Sequence, residues 1–158
     1  MENSPNILRG GIAIDDRGVL SYLNVAPLEK VRRLYAIENF STDTVRAFHG
    51  HAIEEKQVLV VSGSAIVVVA KMSGDFSTPM TCDKLRALKL EDPKRFVLSG
   101  RATQMLLVPA GYANGFRALE PSTKIIFFST TTIEQAASDD YRFPYDYFGK
   151  DIWEVEPR

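Results

Sequence analysis

Residues 45–63 read VRAFHGHAIEEKQVLVVSG, and this stretch decides the fold. It holds two short runs of branched and aromatic residues on either side of a polar turn, Ala52 to Glu55. That is the pattern of strands, which need only four to eight residues, and it lacks the 3.6-residue period of an amphipathic helix. The second run continues through Ser62-Gly63-Ser64 into AIVVVAK, so a hairpin is expected there, with Gly63 supplying the positive φ such a turn demands. Working outward, GGIAIDDRGVLSYLNV reads as strand, turn and strand, with LYAIENF, FVLSG, QMLLV, YANGF and KIIFFSTT adding further strands. The apolar runs are continuous rather than strictly alternating, which fits strands covered on both faces. Helical pattern is confined to PLEKVRR and to TIEQAASDD, where Thr132 stands as an N-cap before Glu134 and Gln135. The segment from Met72 to Glu91 is polar and irregular and reads as a long hairpin insertion. The expected fold is an all-β jelly roll or small barrel with few short helices.

Composition narrows the function classes. At 158 residues, and with no linker or repeat, the chain is expected to form one domain over residues 1–158. Apolar residues are 45% and charged residues 25%, ordinary values for a soluble protein. No apolar run reaches the roughly 18 to 20 residues a bilayer requires. The start, MENSPNILRGG, lacks the basic-then-apolar order of a secretory signal, so a cytoplasmic location and no membrane partner are expected. One cysteine, Cys82, excludes an internal disulfide and a multi-cysteine zinc site. A net charge of -1 argues against nucleic acid as a partner.

His49 and His51 are two residues apart on one strand and therefore share a face. Their setting resembles the first motif of the cupin superfamily, in which His-x-His precedes a glutamate ligand and then a glycine closing the hairpin. Here the glutamate position is Lys56, and the later Pro109-Ala110-Gly111-Tyr112-Ala113-Asn114 resembles the second motif with Asn114 in place of its histidine. An ammonium repels a divalent cation, and asparagine is a poor transition-metal ligand beside histidine, so neither a metal nor any other cofactor is expected. A base beside a cation suits proton abstraction instead. The Lys56 charge would lower an imidazole from its usual value of about 6.5, keeping it neutral near pH 7, and would stabilise a developing enolate oxygen.

Most of the chain is similar to the dTDP-4-dehydrorhamnose 3,5-epimerase family, metal-free cupins acting on nucleotide-linked 4-keto-6-deoxy sugars. The resemblance rests on Asp16-Arg17-Gly18, Glu38-Asn39-Phe40-Ser41, Val45-Arg46-Ala47-Phe48-His49, Lys56, Val97-Leu98-Ser99 and Leu107 to Phe116. It implies His49 as catalytic base, Lys56 beside it, and Arg46 and Arg17 on the diphosphate, with Asn39, His51 and Asn114 also substrate-binding. It also implies a homodimer that exchanges its N-terminal strands, placing Arg17 in the neighbour's site. The aspartate that orients the base lies near the C-terminal tryptophan in the family, which points to Asp146, with Asp151 behind it. The family's tyrosine acid falls on Phe127, which cannot donate a proton, so the second donor is Tyr112, Tyr145 or an ordered water. The implied reaction is inversion at C-3, with C-5 open, in deoxysugar, O-antigen or capsule biosynthesis. Two alternatives stand beside it. A nucleotide-sugar 3,4-ketoisomerase shares the arrangement Arg46, His49 and His51, and an inactive sugar-nucleotide-binding cupin fits the loss at Phe127.

Overall fold

The computed structural model describes residues 4–158; the first three residues of the N-terminal segment read above lie outside them. Two five-stranded antiparallel sheets face each other. One has the order β1 (Asn6–Arg9), β9 (Gln104–Val108), β6 (Lys56–Ser62), β11 (Lys124–Ser129), β4 (Arg33–Glu38). The other runs β12 (Tyr141–Arg142), β5 (Val45–His51), β10 (Tyr112–Ala118), β7 (Ser64–Ser73), β8 (Lys89–Ser99). The hairpin β2 (Gly11–Asp15) and β3 (Gly18–Tyr22) forms a separate two-stranded ribbon. This is the expected jelly roll, and the strand reading of 45–63 holds to within a residue. Gly63 takes φ 71°, as the hairpin between β6 and β7 requires.

The period of two along each strand sorts the residues into two cores. Val58 and Val60 of β6, Val67 and Val69 of β7, and Phe116 of β10 meet Leu106, Ile125 and Phe127 between the sheets. The alternate residues Phe48, Ile66, Val68, Ala70 and Ala113 face outward and are covered by the C-terminal tail, with Trp153, Phe143 and Phe148 packed on them. Continuous apolar runs in β7 thus have the expected cause, since both of its faces are covered. Phe48 is fully buried against the edge of Phe148 and the tilted ring of Trp153. Burial of a side chain of that size stabilises by about 2 to 3 kcal/mol.

Three differences from the sequence reading have clear reasons. The β7–β8 pairing continues to Ser73 and Lys89, so the insertion shrinks to a connection holding one short helix, α1 (Cys82–Ala87), capped by Thr81. Pro93 lies inside β8 without penalty because β8 is an edge strand. PLEKVRR forms only a 3-10 turn at Leu28–Lys30. The second helix, α2 (Ile133–Ser138), carries the capping box of Thr132 and Gln135.

Candidate active site

Residues of both sheets line a cavity of about 590 Å³. His49 and His51 reach it from β5, and Asn114 from the neighbouring β10, directly across from His49 in the strand register. Lys56, the first residue of β6, points inward on the same face as Val58 and Val60, and so brings an ammonium into the floor of the cavity from the opposite sheet. Arg46 also lines it. Its Nε donates to Asn39 Oδ1 at 2.8 Å, while the Asn39 amide donates to the Thr44 carbonyl. Asn39 therefore fixes Arg46 and is not itself on the cavity wall.

The charges are mutually arranged. His49 Nδ1 lies 3.5 Å from Asp140 Oδ1, and Asp140 Oδ2 accepts from Arg142 Nε at 2.9 Å. Burial pulls the His49 imidazole below its ordinary value; Asp140 opposes this, while Arg142 and Lys56 add to it. The result is a neutral imidazole near pH 7 whose Nε2 is left for a ligand. Lys56 Nζ lies 3.4 Å from Asn114 Oδ1 and 3.5 Å from Glu54 Oε1. Burial lowers it, Glu54 raises it, and Arg33 lowers it again. His51 is the more buried of the two histidines, 3.7 Å from Glu54 Oε1 by Nε2 and 3.9 Å from Asp139 Oδ2 by Nδ1. Burial and the Lys56 charge lower it too.

The structure places several residues singled out in the sequence away from the cavity. The carboxylate beside His49 is Asp140, not Asp146 or Asp151. Residue 142 is paired with His49 across β12 and β5, which brings Asp140 to the cavity. The backbone of Phe143 continues the ladder with Phe48, and its side chain packs with that of Phe48 on the other face of the sheet. Tyr145 and Asp146 follow in the tail; the Tyr145 carbonyl accepts from Trp153 Nε1 at 2.8 Å, and its exposed side chain is outside the cavity lining. Tyr112 sits opposite His51 and packs against the inner core, outside the cavity lining. Arg17 is at the tip of the β2–β3 ribbon, its exposed guanidinium paired with Asp15, and does not reach its own chain's cavity.

The tyrosine that does line the cavity is Tyr35, alone of its kind there among the described residues. It is the register partner of Phe127 on the adjacent strand, and the two rings stack at 5.2 Å and 6°. Burial and the Glu54 charge push its hydroxyl up to about 12, so it stays protonated. No local signal marks Tyr35 in the sequence; it becomes visible only when β4 is laid beside β11. Asp139, Asp140 and Glu54 were hidden in the same way. Among the described residues no group of three or more His, Cys, Asp and Glu is placed to hold a metal.

Fold and site together define a cupin-type jelly roll whose cavity carries a histidine–aspartate pair, a lysine and three arginines. Its fold is that of the dTDP-4-dehydrorhamnose 3,5-epimerases and of the sugar 3,4-ketoisomerases. The Sulfolobus tokodaii 3,5-epimerase matches with TM-score 0.67 and 21% identity over 90% of this chain and 78% of that one. QdtA, a 3,4-ketoisomerase from Thermoanaerobacterium thermosaccharolyticum in complex with TDP, matches with TM-score 0.66 and 14% identity over 93% of each chain. In sequence, the spore coat polysaccharide biosynthesis protein SpsL of Bacillus subtilis is 26% identical over 136 residues, 84% of this chain and 82% of the relative. No protein-family model matches the chain. No helix among the described residues is long and apolar enough to cross a membrane.

Proposed function

We propose that the protein is an isomerase of a nucleotide-linked 4-keto-6-deoxyhexose serving polysaccharide biosynthesis, and that it epimerises C-3. One observation carries this reading: a neutral base and a protonated tyrosine come from opposite sheets, His49 from β5 and Tyr35 from β4, into one cavity. Inversion beside a ketone needs a proton taken from one face and another delivered to the other. His49 Nε2 takes the proton on carbon, and the imidazolium so formed is stabilised by Asp140. The enolate oxygen develops charge beside the Lys56 ammonium, which needs no reorganisation to receive it. Tyr35 replaces the family tyrosine lost at Phe127 and returns a proton from the facing wall. Arg46, held by Asn39, takes the diphosphate as a guanidinium matched to two phosphate oxygens. QdtA is solved with TDP bound, which supports a nucleotide ligand in this fold.

In the same reading the chain is a cytoplasmic homodimer. The β2–β3 ribbon pairs with no other strand of its own chain among the described residues and leaves Ile14, Val19 and Leu20 exposed. Exchange of this ribbon would cover them and carry Arg17 to the partner's cavity.

The 3,4-ketoisomerase is the second reading, favoured by the second histidine, His51, and by the full-length match to QdtA. Incubation with 4-keto-6-deoxyglucose linked to dTDP, CDP or GDP in D2O, followed by NMR, separates the two. The expected result is deuterium at C-3 with inversion. A carbonyl moved to C-3 establishes the ketoisomerase, and binding without any exchange establishes an inactive sugar-nucleotide module.

A further inference from the structure

Glu54 stands in the turn between β5 and β6, and its carboxylate is wholly removed from solvent at 0% side-chain exposure. Its Oε2 accepts from Arg33 Nη2 at 2.9 Å and from the Thr131 hydroxyl. Its Oε1 accepts no well-directed hydrogen bond and lies between two nitrogens, 3.5 Å from Lys56 Nζ and 3.7 Å from His51 Nε2. A carboxylate this deep stays ionised only where donors and cations replace the lost water. The turn that aims it inward is fixed from outside. Asp139 accepts the backbone N–H groups of Ala52, Ile53 and Glu54 at 2.8, 2.9 and 3.3 Å.

We propose that Glu54 is the positioning residue for Lys56: it holds the ammonium charged and fixed at the cavity floor, with Arg33 competing for the same carboxylate. The inference rests on the reading of Lys56 as the group facing the enolate. An ammonium has three N–H donors. Glu54 Oε1 and Asn114 Oδ1 take up two directions, leaving the third for a ligand oxygen in the cavity. The other charged or titratable groups around Lys56 are Arg33 from β4, the imidazoles of His49 and His51 from β5, and Asp140 ahead of β12. Of the two carboxylates, Glu54 exerts the larger effect on it and Asp140 the smaller. Without Glu54, burial and Arg33 would act on Lys56 with only Asp140 in opposition.

The test is the titration of Lys56 followed by NMR of protein labelled at lysine Cε, in wild type, Glu54→Gln and Arg33→Gln. Glutamine preserves the volume and can still accept from Thr131. Lys56 in Glu54→Gln is expected to lose its proton at least about one pH unit lower than in wild type, the effect of removing a close opposite charge. In Arg33→Gln it is expected to move the other way. In steady-state assays Glu54→Gln should lower kcat at pH 7 by about 10-fold or more with KM within about threefold, because an interaction made only as charge develops has gone. A purely structural Glu54 would reduce stability and leave the Lys56 midpoint in place. An unmoved midpoint in either variant overturns the proposal, and if Glu54→Gln does not fold, the sign of the Arg33→Gln shift decides. A moved midpoint with unchanged kcat removes Lys56 from the chemistry, and with it the reading beneath. Absence of deuterium exchange in the wild type strikes the enzymatic reading alone, since the Lys56 titration needs no substrate.

Discussion

Asp140→Asn changes one charge beside the candidate base. At the 3.5 Å that separates His49 Nδ1 from Asp140 Oδ1, a unit pair is worth about 1.2 kcal/mol at the dielectric of water and about 4.7 kcal/mol at an effective value of 20. His49 is 42% and Asp140 26% exposed by side chain, and solvent screening of such a pair holds the figure near the lower end, about 1 to 2 kcal/mol. That energy stabilises the imidazolium formed as carbon loses its proton, so the expected fall in kcat is roughly 5- to 30-fold at about 1.4 kcal/mol per decade. The assay is the initial rate of deuterium incorporation from D2O into dTDP-4-keto-6-deoxyglucose. Asp146→Asn serves as the comparison and is expected to stay within about twofold of wild type, because its tail lies on the opposite face of the sheet. Loss of exchange in Asp146→Asn with normal rates in Asp140→Asn would refute the assignment of the orienting carboxylate. Unchanged rates in both would show that His49 needs no carboxylate.

Three further outcomes are expected. Tyr35→Phe should still wash deuterium into the recovered substrate while the epimeric product falls by about 100-fold, the ordinary worth of a general acid; equal loss of both would place Tyr35 in binding instead. Arg46→Ala removes a charge-assisted pair of about 2 kcal/mol, so KM should rise roughly 30-fold with kcat within a fewfold, and a rise in KM that is matched by free sugar lacking the diphosphate would contradict its phosphate role. Stability should fall with acid: His49 and His51 have folded values below their usual 6.5, so their contribution is present above about 6.5 and is lost as pH drops through the folded values. Urea unfolding between pH 7.5 and 5 should show this slope, and His51→Asn, which removes the more buried group, should flatten it; an unchanged slope would mean that His51 is not held neutral.

Strand positions, the β6–β7 turn at Gly63 and the shared face of His49 and His51 were legible from the chain because each depends on neighbours a few residues away. A period of two puts the two histidines on one side of their strand, and the resemblance of Lys56 to the glutamate position of the first cupin motif set the cation beside them before any coordinates. The tail and the cavity walls obey no such local rule. Asp139, Asp140 and Asp146 lie within eight positions of one another, and nothing in DDYRFPYD tells which of them meets His49; the β12–β5 pairing does, by placing Arg142 opposite His49 and sending Phe143 to the Phe48 side. Likewise Phe127 shows in the sequence only that a tyrosine is missing. The replacement proposed above, Tyr35, stands 92 positions earlier and is made adjacent by the β4–β11 register.

The sequence by itself determined an all-β chain, its hairpins and two histidines on one strand face, since backbone sterics and hydrophobic alternation act locally, while the resemblance to the cupin motif brought the lysine beside them. Only the tertiary structure decided which carboxylate lies beside His49, which tyrosine shares its cavity and which buried acid lies next to Lys56. Those are pairings between distant segments, set by sheet register and chain reversal, and a carboxylate or hydroxyl carries no mark of its partner until the fold has removed both from water.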